Sequence, residues 1–451
     1  MSEERIFGTD GVRGRAGEGW LAVASVARLG RAIGDVLGRD ARVRRRALLG
    51  HDGRRSGPEL LAALARGLAS SGFDSASVDL IPTPGLAWLT RDADFGLGLM
   101  VSASHNPARD NGIKVFSSTG EKLSDETEIE IEDRVRAEVA APPAAGEPRI
   151  DAGLEERYVE HLIGQGSGAP DLAGMELVVD CANGATSRVA PRVLERLSAR
   201  VTSIASSPDG DNINLACGST HPEALQAEVR RTGAELGIAL DGDGDRCILV
   251  DHAGEIVHGD AILTILARDA QQRGQLPGSR IVATVMSNRG LQRALREVGV
   301  SVLEVGVGDR QVVEAMRRNY LELGGEQSGH IVLGPRNAFI GDGLLTALQV
   351  LRVVRESGRP LAELARPYEP LPQVLLNVPV LRKPLLEELP ELVAAVRRIE
   401  TELGEDGRVL LRYSGTEPLA RVMVEGPDST EIRARAEELA ALISDAIGGS
   451  R

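Results

Sequence analysis

Three carboxylates at alternating positions, Asp241, Asp243 and Asp245, have glycines between them and Arg246 behind them, in a loop flanked by the apolar runs 236–240 and 247–250. Glycines at the intervening positions let the backbone curl and aim three hard oxygen donors at one point, which is the chemistry of a divalent cation site. Without a cation the three charges would repel one another. The spacing matches positions 1, 3 and 5 of an EF-hand, but Arg246 and His252 stand where that loop needs glycine and glutamate, so an EF-hand is excluded.

A second loop, residues 102–107, follows the apolar run 95–100 and presents Ser104 beside His105. Such a serine fits a hydrolase nucleophile, although the Gly-x-Ser-x-Gly elbow is absent; it fits phosphoryl transfer, because a hydroxyl can carry a phosphoryl group that a cation neutralises; and it fits a plain turn or helix cap. Lys114 follows ten residues later. Only three of the 52 basic residues are lysine, namely Lys114, Lys122 and Lys383, and a lysine kept in an arginine-rich chain marks a place where an amine is wanted. Residues 7–14 form a glycine-spaced loop presenting Asp10 and Arg13, suited to an oxyanion. Residues 324–330 place Glu326, Ser328 and His330 on a turn suited to adjacent sugar hydroxyls. Near the C-terminus, Arg412, Ser414, Gly415, Thr416 and Arg421 surround a tight loop with guanidinium, hydroxyl and backbone N–H donors, a phosphate cradle.

These loops need elements to hold them. A unit of apolar run, polar loop, amphipathic helix and second apolar run occurs three times, starting at residues 47, 177 and 280. Strand, crossover helix and parallel strand is the economical reading, and three copies predict three similar α/β domains with mixed sheets. A proline-rich stretch, 366–372, separates the third copy from a smaller C-terminal α+β domain with two strands near 409–412 and 419–424 and a last helix capped by Asp428. The expected domains are 1–152, 153–254, 255–366 and 373–451, with an exposed connection at 140–146.

With 451 residues, 42% hydrophobic and 26% charged, the chain reads as a folded multidomain protein. A net charge of −14 and 2% aromatics weigh against nucleic acid, anionic membranes and stacking platforms, so any sugar would be held by polar groups. Cys181, Cys217 and Cys247 give neither a disulfide framework nor a zinc knuckle. The opening residues lack a signal-peptide pattern and no apolar stretch reaches the ~18 residues of a membrane span, so the expected location is cytoplasmic.

Taken together, residues 7–14, 102–107 with 111–114, 241–246, 325–330 and 412–426 resemble the α-D-phosphohexomutase family, in family order over nearly the whole chain. The resemblance implies three similar α/β domains and a smaller phosphate-binding domain. It implies an intramolecular phosphotransferase in which Ser104 is phosphorylated, Ser104 with Asp241, Asp243 and Asp245 holds one Mg²⁺ per chain, and Arg13, Lys114 and His330 serve catalysis. Arg246, Glu326, Ser328, Arg412, Ser414, Gly415, Thr416 and Arg421 would bind substrate. Gln327 is typical of the glucosamine branch, which implies interconversion of glucosamine 6-phosphate and glucosamine 1-phosphate; the alternative is the same chemistry on glucose or mannose phosphates. The expected partners are small-molecule sugar phosphates, with no nucleic acid and no membrane, and a homodimer is the candidate assembly. Tyr413 stands where the family usually has lysine, Ile340 where it has threonine, and His51 and Gly53 also depart from its pattern.

Overall fold

Each of the three sequence repeats builds the same strand order. In the first, Arg46–His51 lies between Asp74–Leu80 and Leu97–Val101, all parallel, and Asp110–Ser117 turns back antiparallel along Leu97–Val101. Val12–Arg15 and Arg149–Ile150 extend the two edges to six strands. In the second, Glu176–Asp180 runs parallel between Arg200–Ile204 and Leu236–Leu240, and Cys247–Asp251 returns antiparallel. In the third, Arg280–Thr284 sits between Ser301–Val305 and Leu323–Gly325, with Ile331–Leu333 antiparallel beside the latter. Leu97–Val101 and Leu236–Leu240 are buried along their whole length, the condition that an unbroken apolar run satisfies in a sheet covered on both faces.

This computed structural model describes residues 5–8, 10–137, 147–165, 171–414 and 418–448. The connection expected at 140–146 lies outside them. Three α/β layers with mixed sheets are followed by a smaller antiparallel sheet, ordered Gln373–Pro379, Leu419–Glu425, Arg408–Tyr413. The helices Pro390–Leu403 and Ser429–Ile447 cover that sheet through Leu392, Ile399, Ile432, Leu439 and Ile443. The Asp428 carboxylate accepts the N–H groups of Thr430 and Glu431 at 2.8 and 3.0 Å, capping the last helix where the sequence places its start. Among the described residues no helix is long and apolar enough to cross a membrane.

Two compact units result: residues 1–286 with 302–366, and residues 287–301 with 367–451. The crossover helix of the third repeat, Arg289–Arg296, therefore packs with the C-terminal sheet. Its cap, Asn288, accepts the Leu371 N–H at 2.8 Å and donates to the Leu371 carbonyl at 3.0 Å. Glu425, fully buried, takes the Arg289 N–H at 2.5 Å and pairs with Arg408 at 2.9 Å, while Arg408 also donates to the Ser287 carbonyl.

Within the first unit the three repeats meet at an aromatic cluster. His161 of the Gly153–Gln165 helix stacks on Trp88 of Thr83–Asp92 with ring centroids 4.0 Å apart, and Tyr158 donates to Asp342 at 2.7 Å. Asp342 in turn caps Gly343–Ser357 through the Leu345 N–H at 2.9 Å. Burial pushes the His161 pKa down to about 4, so the fold holds its imidazole neutral. Stability from this group is full above the unfolded histidine value near 6.5 and drains away as pH falls toward about 4. Urea unfolding at pH 7.5 and pH 5 should therefore show the parent losing roughly 2 kcal/mol more than His161→Phe, which stacks without titrating; equal losses would remove His161 as the sensitive group.

Candidate active site

The connection from the third to the fourth strand of each repeat delivers one functional loop: residues 102–109 from the first, 241–246 from the second and 326–330 from the third. The first two meet at Ser104. Its Oγ donates to Asp241 Oδ2 at 2.7 Å and lies 3.3 Å from His105 Nδ1. Ser104 has φ of 53°, a left-handed conformation that costs a serine about 1 kcal/mol, and it is held there from both ends of its peptide. The Ser104 N–H donates to Ser102 Oγ at 2.8 Å, and Ser102 donates to Asp52 at 2.7 Å. The Ser104 carbonyl accepts from Arg54 at 3.0 Å and from Asn214 at 2.9 Å.

Arg54 is the hub of that loop. Its guanidinium pairs with Asp52 at 2.9 Å and donates to the carbonyls of Ser104, Asn106, Pro107 and Asp110, with both charged side chains wholly buried. Gly242 brings the second loop against the first, since a Cβ there would sit 2.6 Å from the Ser104 carbonyl oxygen. Side-chain oxygens of Asp241, Asp243 and Asp245 lie within 4.8 Å of one another. Lys114, buried on Asp110–Ser117, reaches Asp243 at 2.6 Å and Asp245 at 3.4 Å, and Thr83 donates to Asp243 at 2.5 Å. Among the described residues none gives Asp243 Oδ1, which is buried, a hydrogen bond, so this oxygen is available to a ligand. The donor set, three carboxylates and the Ser104 hydroxyl, is all oxygen and suits Mg²⁺.

Electrostatics follow from this crowding. Burial pushes Asp241 well above the usual carboxylate range, and the charges of Asp245 and Asp243 add to it. Burial acts the same way on Asp245, but Lys114, His330 and Arg246 outweigh it and hold that carboxyl low. Burial opposes the Lys114 charge, and Asp243, Asp245 and Asp10 overcome it, so the ammonium stays protonated.

The third loop packs on the second. Gly329, at φ of 90°, accepts the Cys247 N–H at 3.0 Å, and a Cβ there would stand 2.2 Å from the Cys247 carbonyl oxygen. His330 comes within 3.8 Å of Asp245; burial works against its charge, yet Asp245, Asp309 and Glu326 raise it to about 9. Glu326 accepts from the Gly308 N–H at 3.1 Å and from Ser328 Oγ at 3.3 Å. Arg246 gives its N–H to Asp241 at 3.1 Å, and Arg13 pairs with Asp10 at 3.2 Å on the neighbouring edge strand.

The first unit thus gathers Ser104, the three aspartates, Lys114, Arg246, His330, Glu326, Ser328 and Arg13. Arg412 and Arg421 belong to the second unit, directly opposite one another on adjacent strands, with Ser414 at the end of Arg408–Tyr413. Gly415 and Thr416 lie outside the described residues, as does Thr9. The Tyr413 phenol donates to the Pro384 carbonyl at 2.8 Å, and Lys383 donates to the Ser414 carbonyl at 2.6 Å, so the third lysine of the chain brings a cation to the loop where Tyr413 lacks one. Sequence reasoning missed Asp52, Arg54, Thr83 and Asn214 as site-builders. The scarcity of lysine could have flagged Lys383; nothing local flags Thr83 or Asn214.

Models of the phosphoglucomutase/phosphomannomutase family match in four consecutive pieces: alpha/beta/alpha domain I at residues 4–141, domain II at 156–254, domain III at 258–371 and the C-terminal domain at 375–442. A relative from Moorella thermoacetica, named phosphoglucosamine mutase, is 50% identical over 95% of this chain and 96% of its own. The chain belongs to this family. A phosphoglucomutase/phosphomannomutase family protein from Burkholderia thailandensis superposes with a TM-score of 0.80 at 26% identity, covering 98% of this chain and 97% of its own. The Aspergillus fumigatus N-acetylphosphoglucosamine mutase, solved with GlcNAc-6P and magnesium, shares the fold at a TM-score of 0.66 and 19% identity, covering 98% of this chain and 95% of its own.

Arg54→Met would leave Asp52 as an uncompensated buried charge and take a charged donor from four carbonyls, of which Ser104 and Asn106 keep only Asn214. Denaturant unfolding should show a loss of about 3 kcal/mol or more. Arg54→Lys should recover only part of it, because one ammonium cannot span the carbonyls that a planar fork reaches. A loss under about 1 kcal/mol for the methionine variant would mean that the loop stands without its hub.

Proposed function

We propose that this chain interconverts glucosamine 6-phosphate and glucosamine 1-phosphate through a phosphorylated Ser104 and a sugar bisphosphate. The observation that carries the chemistry is the Ser104 hydroxyl 2.7 Å from Asp241 at the rim of the buried aspartate cluster. The choice of sugar rests on Gln327 and on the phosphoglucosamine mutase at 50% identity.

Asp241, Asp243, Asp245 and Ser104 would hold one Mg²⁺, which supplies charge neutralisation to the phosphoryl group when bound. Phosphoserine 104 transfers its phosphoryl group to the free sugar hydroxyl. The Oγ–P bond breaks as the sugar O–P bond forms; the hydroxyl gives up its proton and Ser104 Oγ regains one, so each half-reaction is proton-neutral. The bisphosphate then turns end for end, and its other phosphoryl group returns to Ser104. Lys114 and His330, both kept as cations by the carboxylates around them, oppose the negative charge that gathers during transfer. Arg13 adds a guanidinium on the same side. Glu326 and Ser328 take sugar hydroxyls, Arg246 contacts substrate beside them, and the Arg412, Ser414, Gly415, Thr416 and Arg421 cradle of the C-terminal unit takes the phosphate that is not transferred. Excluding water is part of the task, because water at phosphoserine would give a phosphatase.

Purified protein should carry one phosphate on Ser104 by intact mass and peptide mapping. Ser104→Ala should retain less than about a tenth of the turnover while still binding sugar phosphate, a barrier increase of more than ~1.4 kcal/mol. Parallel assays with glucosamine, glucose and mannose 6-phosphates decide the sugar; a clear preference for glucose or mannose would reassign the substrate within the family.

A compact ammonium fits between Asp243 and Asp245, where a guanidinium is broader. Lys114→Arg should therefore lower kcat although charge is kept, and chelation should abolish activity until Mg²⁺ is restored. Parent-like kcat in the arginine variant would reduce Lys114 to a counter-charge.

A further inference from the structure

Lys122 has no part in the site as described so far, yet it is one of only three lysines in the chain. Its Nζ stands 3.1 Å from Asp10 and 2.6 Å from Asp309. Each carboxylate leads into a different half of the site. Asp10 uses its other oxygen to hold Arg13 at 3.2 Å, and Arg13 is paired across the sheet with Gly112, two residues before Lys114. Asp309 opens the helix Asp309–Arg318, and the residue before it, Gly308, donates its N–H to Glu326 at 3.1 Å. A β-bridge to Phe116 fixes the Lys122 backbone, so the ammonium cannot simply follow a carboxylate that moves away.

We infer that Lys122 is a positioning residue that couples the phosphoryl-transfer side, Arg13 and Lys114, to the sugar side, Glu326 and its loop; the catalytic part of this inference rests on the function proposed above. The four groups alternate in charge, Arg13, Asp10, Lys122 and Asp309. Removing the amine leaves two partly buried carboxylates facing each other with no cation between them; Arg13 still pairs with Asp10 from its far side, and the repulsion draws Asp309, with Gly308 beside it, away from Glu326. The fold itself does not depend on this link, because Arg310 ties the same helix to the first repeat through Asp125, Glu128 at 3.0 Å and the Leu123 carbonyl at 3.0 Å.

The test uses the full chain with Lys122→Met and Lys122→Arg, read by steady-state kinetics on glucosamine 6-phosphate, intact mass, thermal melting and hydrogen exchange of peptides covering 306–310 and 324–331. The methionine variant is expected to keep its Ser104 phosphate and melt close to the parent. Its kcat/KM should fall about tenfold or more, mainly through kcat, and both peptides should exchange faster; the arginine variant should recover most of each effect. An active parent with a methionine variant within about twofold in kcat/KM overturns the inference. Should Lys122→Met fail to fold, Lys122→Met with Asp309→Asn, which removes the unbalanced charge, carries the same measurements. A parent inactive on all three sugar 6-phosphates ends the mutase reading instead, and exchange alone then decides the link: faster exchange rescued by arginine upholds it, unchanged exchange overturns it.

Discussion

Asp241, Asp243 and Asp245 bring oxygens within 4.8 Å of one another inside the protein, and at an effective dielectric of 20 each pair of charges at that distance repels by about 3 kcal/mol. The surrounding groups are the response to that repulsion. Lys114 bridges two of the carboxylates, Thr83 and Ser104 donate to two of them, and the Arg246 N–H serves the first. Compensation is incomplete. Asp241 remains pushed toward its neutral form and, among the described residues, Asp243 keeps an oxygen without a partner, so these residues leave room for one more positive charge.

Two kinds of cation answer two kinds of demand. Arg54 faces four carbonyls and a carboxylate around one loop, which requires a planar donor array with several N–H groups in fixed directions. Lys114 faces two carboxylates of one loop, and Lys122 two carboxylates from different repeats, where a compact charge with freely arranged donors fits. The departure at Tyr413 follows the same logic: the phenol turns to Pro384, and Lys383 comes to Ser414 from another segment. A charge missing from one position in the sequence is returned by a residue thirty positions away.

The triplicated strand order explains how one protein places Ser104, the aspartate cluster and the Glu326–Ser328 pair on separate loops, one from each repeat. Each loop joins a buried parallel strand to an antiparallel return, so its ends are fixed by a sheet while its middle is free to vary. The first loop uses that freedom to hold a serine at positive φ, the second to alternate aspartate with glycine, the third to fold Glu326 back toward Ser328.

What the sequence by itself determined is what depends on near neighbours. Unbroken apolar runs specify strands buried on both faces, the three repeats follow from their order, Asp428 caps the last helix, and glycines between aspartates permit a tight curl. Only the tertiary structure decided which distant groups complete the site. Thr83 and Asp243 are 160 residues apart, Ser104 and Asn214 are 110 apart, and Lys122 meets Asp309 from another repeat. It also decided that Arg289–Arg296, a crossover helix by sequence order, belongs with the C-terminal sheet, because Asn288 and Glu425 satisfy its first N–H groups there. Residue spacing encodes the periodicity of a strand or helix and the geometry of a turn; which side chains meet across repeats is set by how their buried faces pack, and that information is spread over the whole chain.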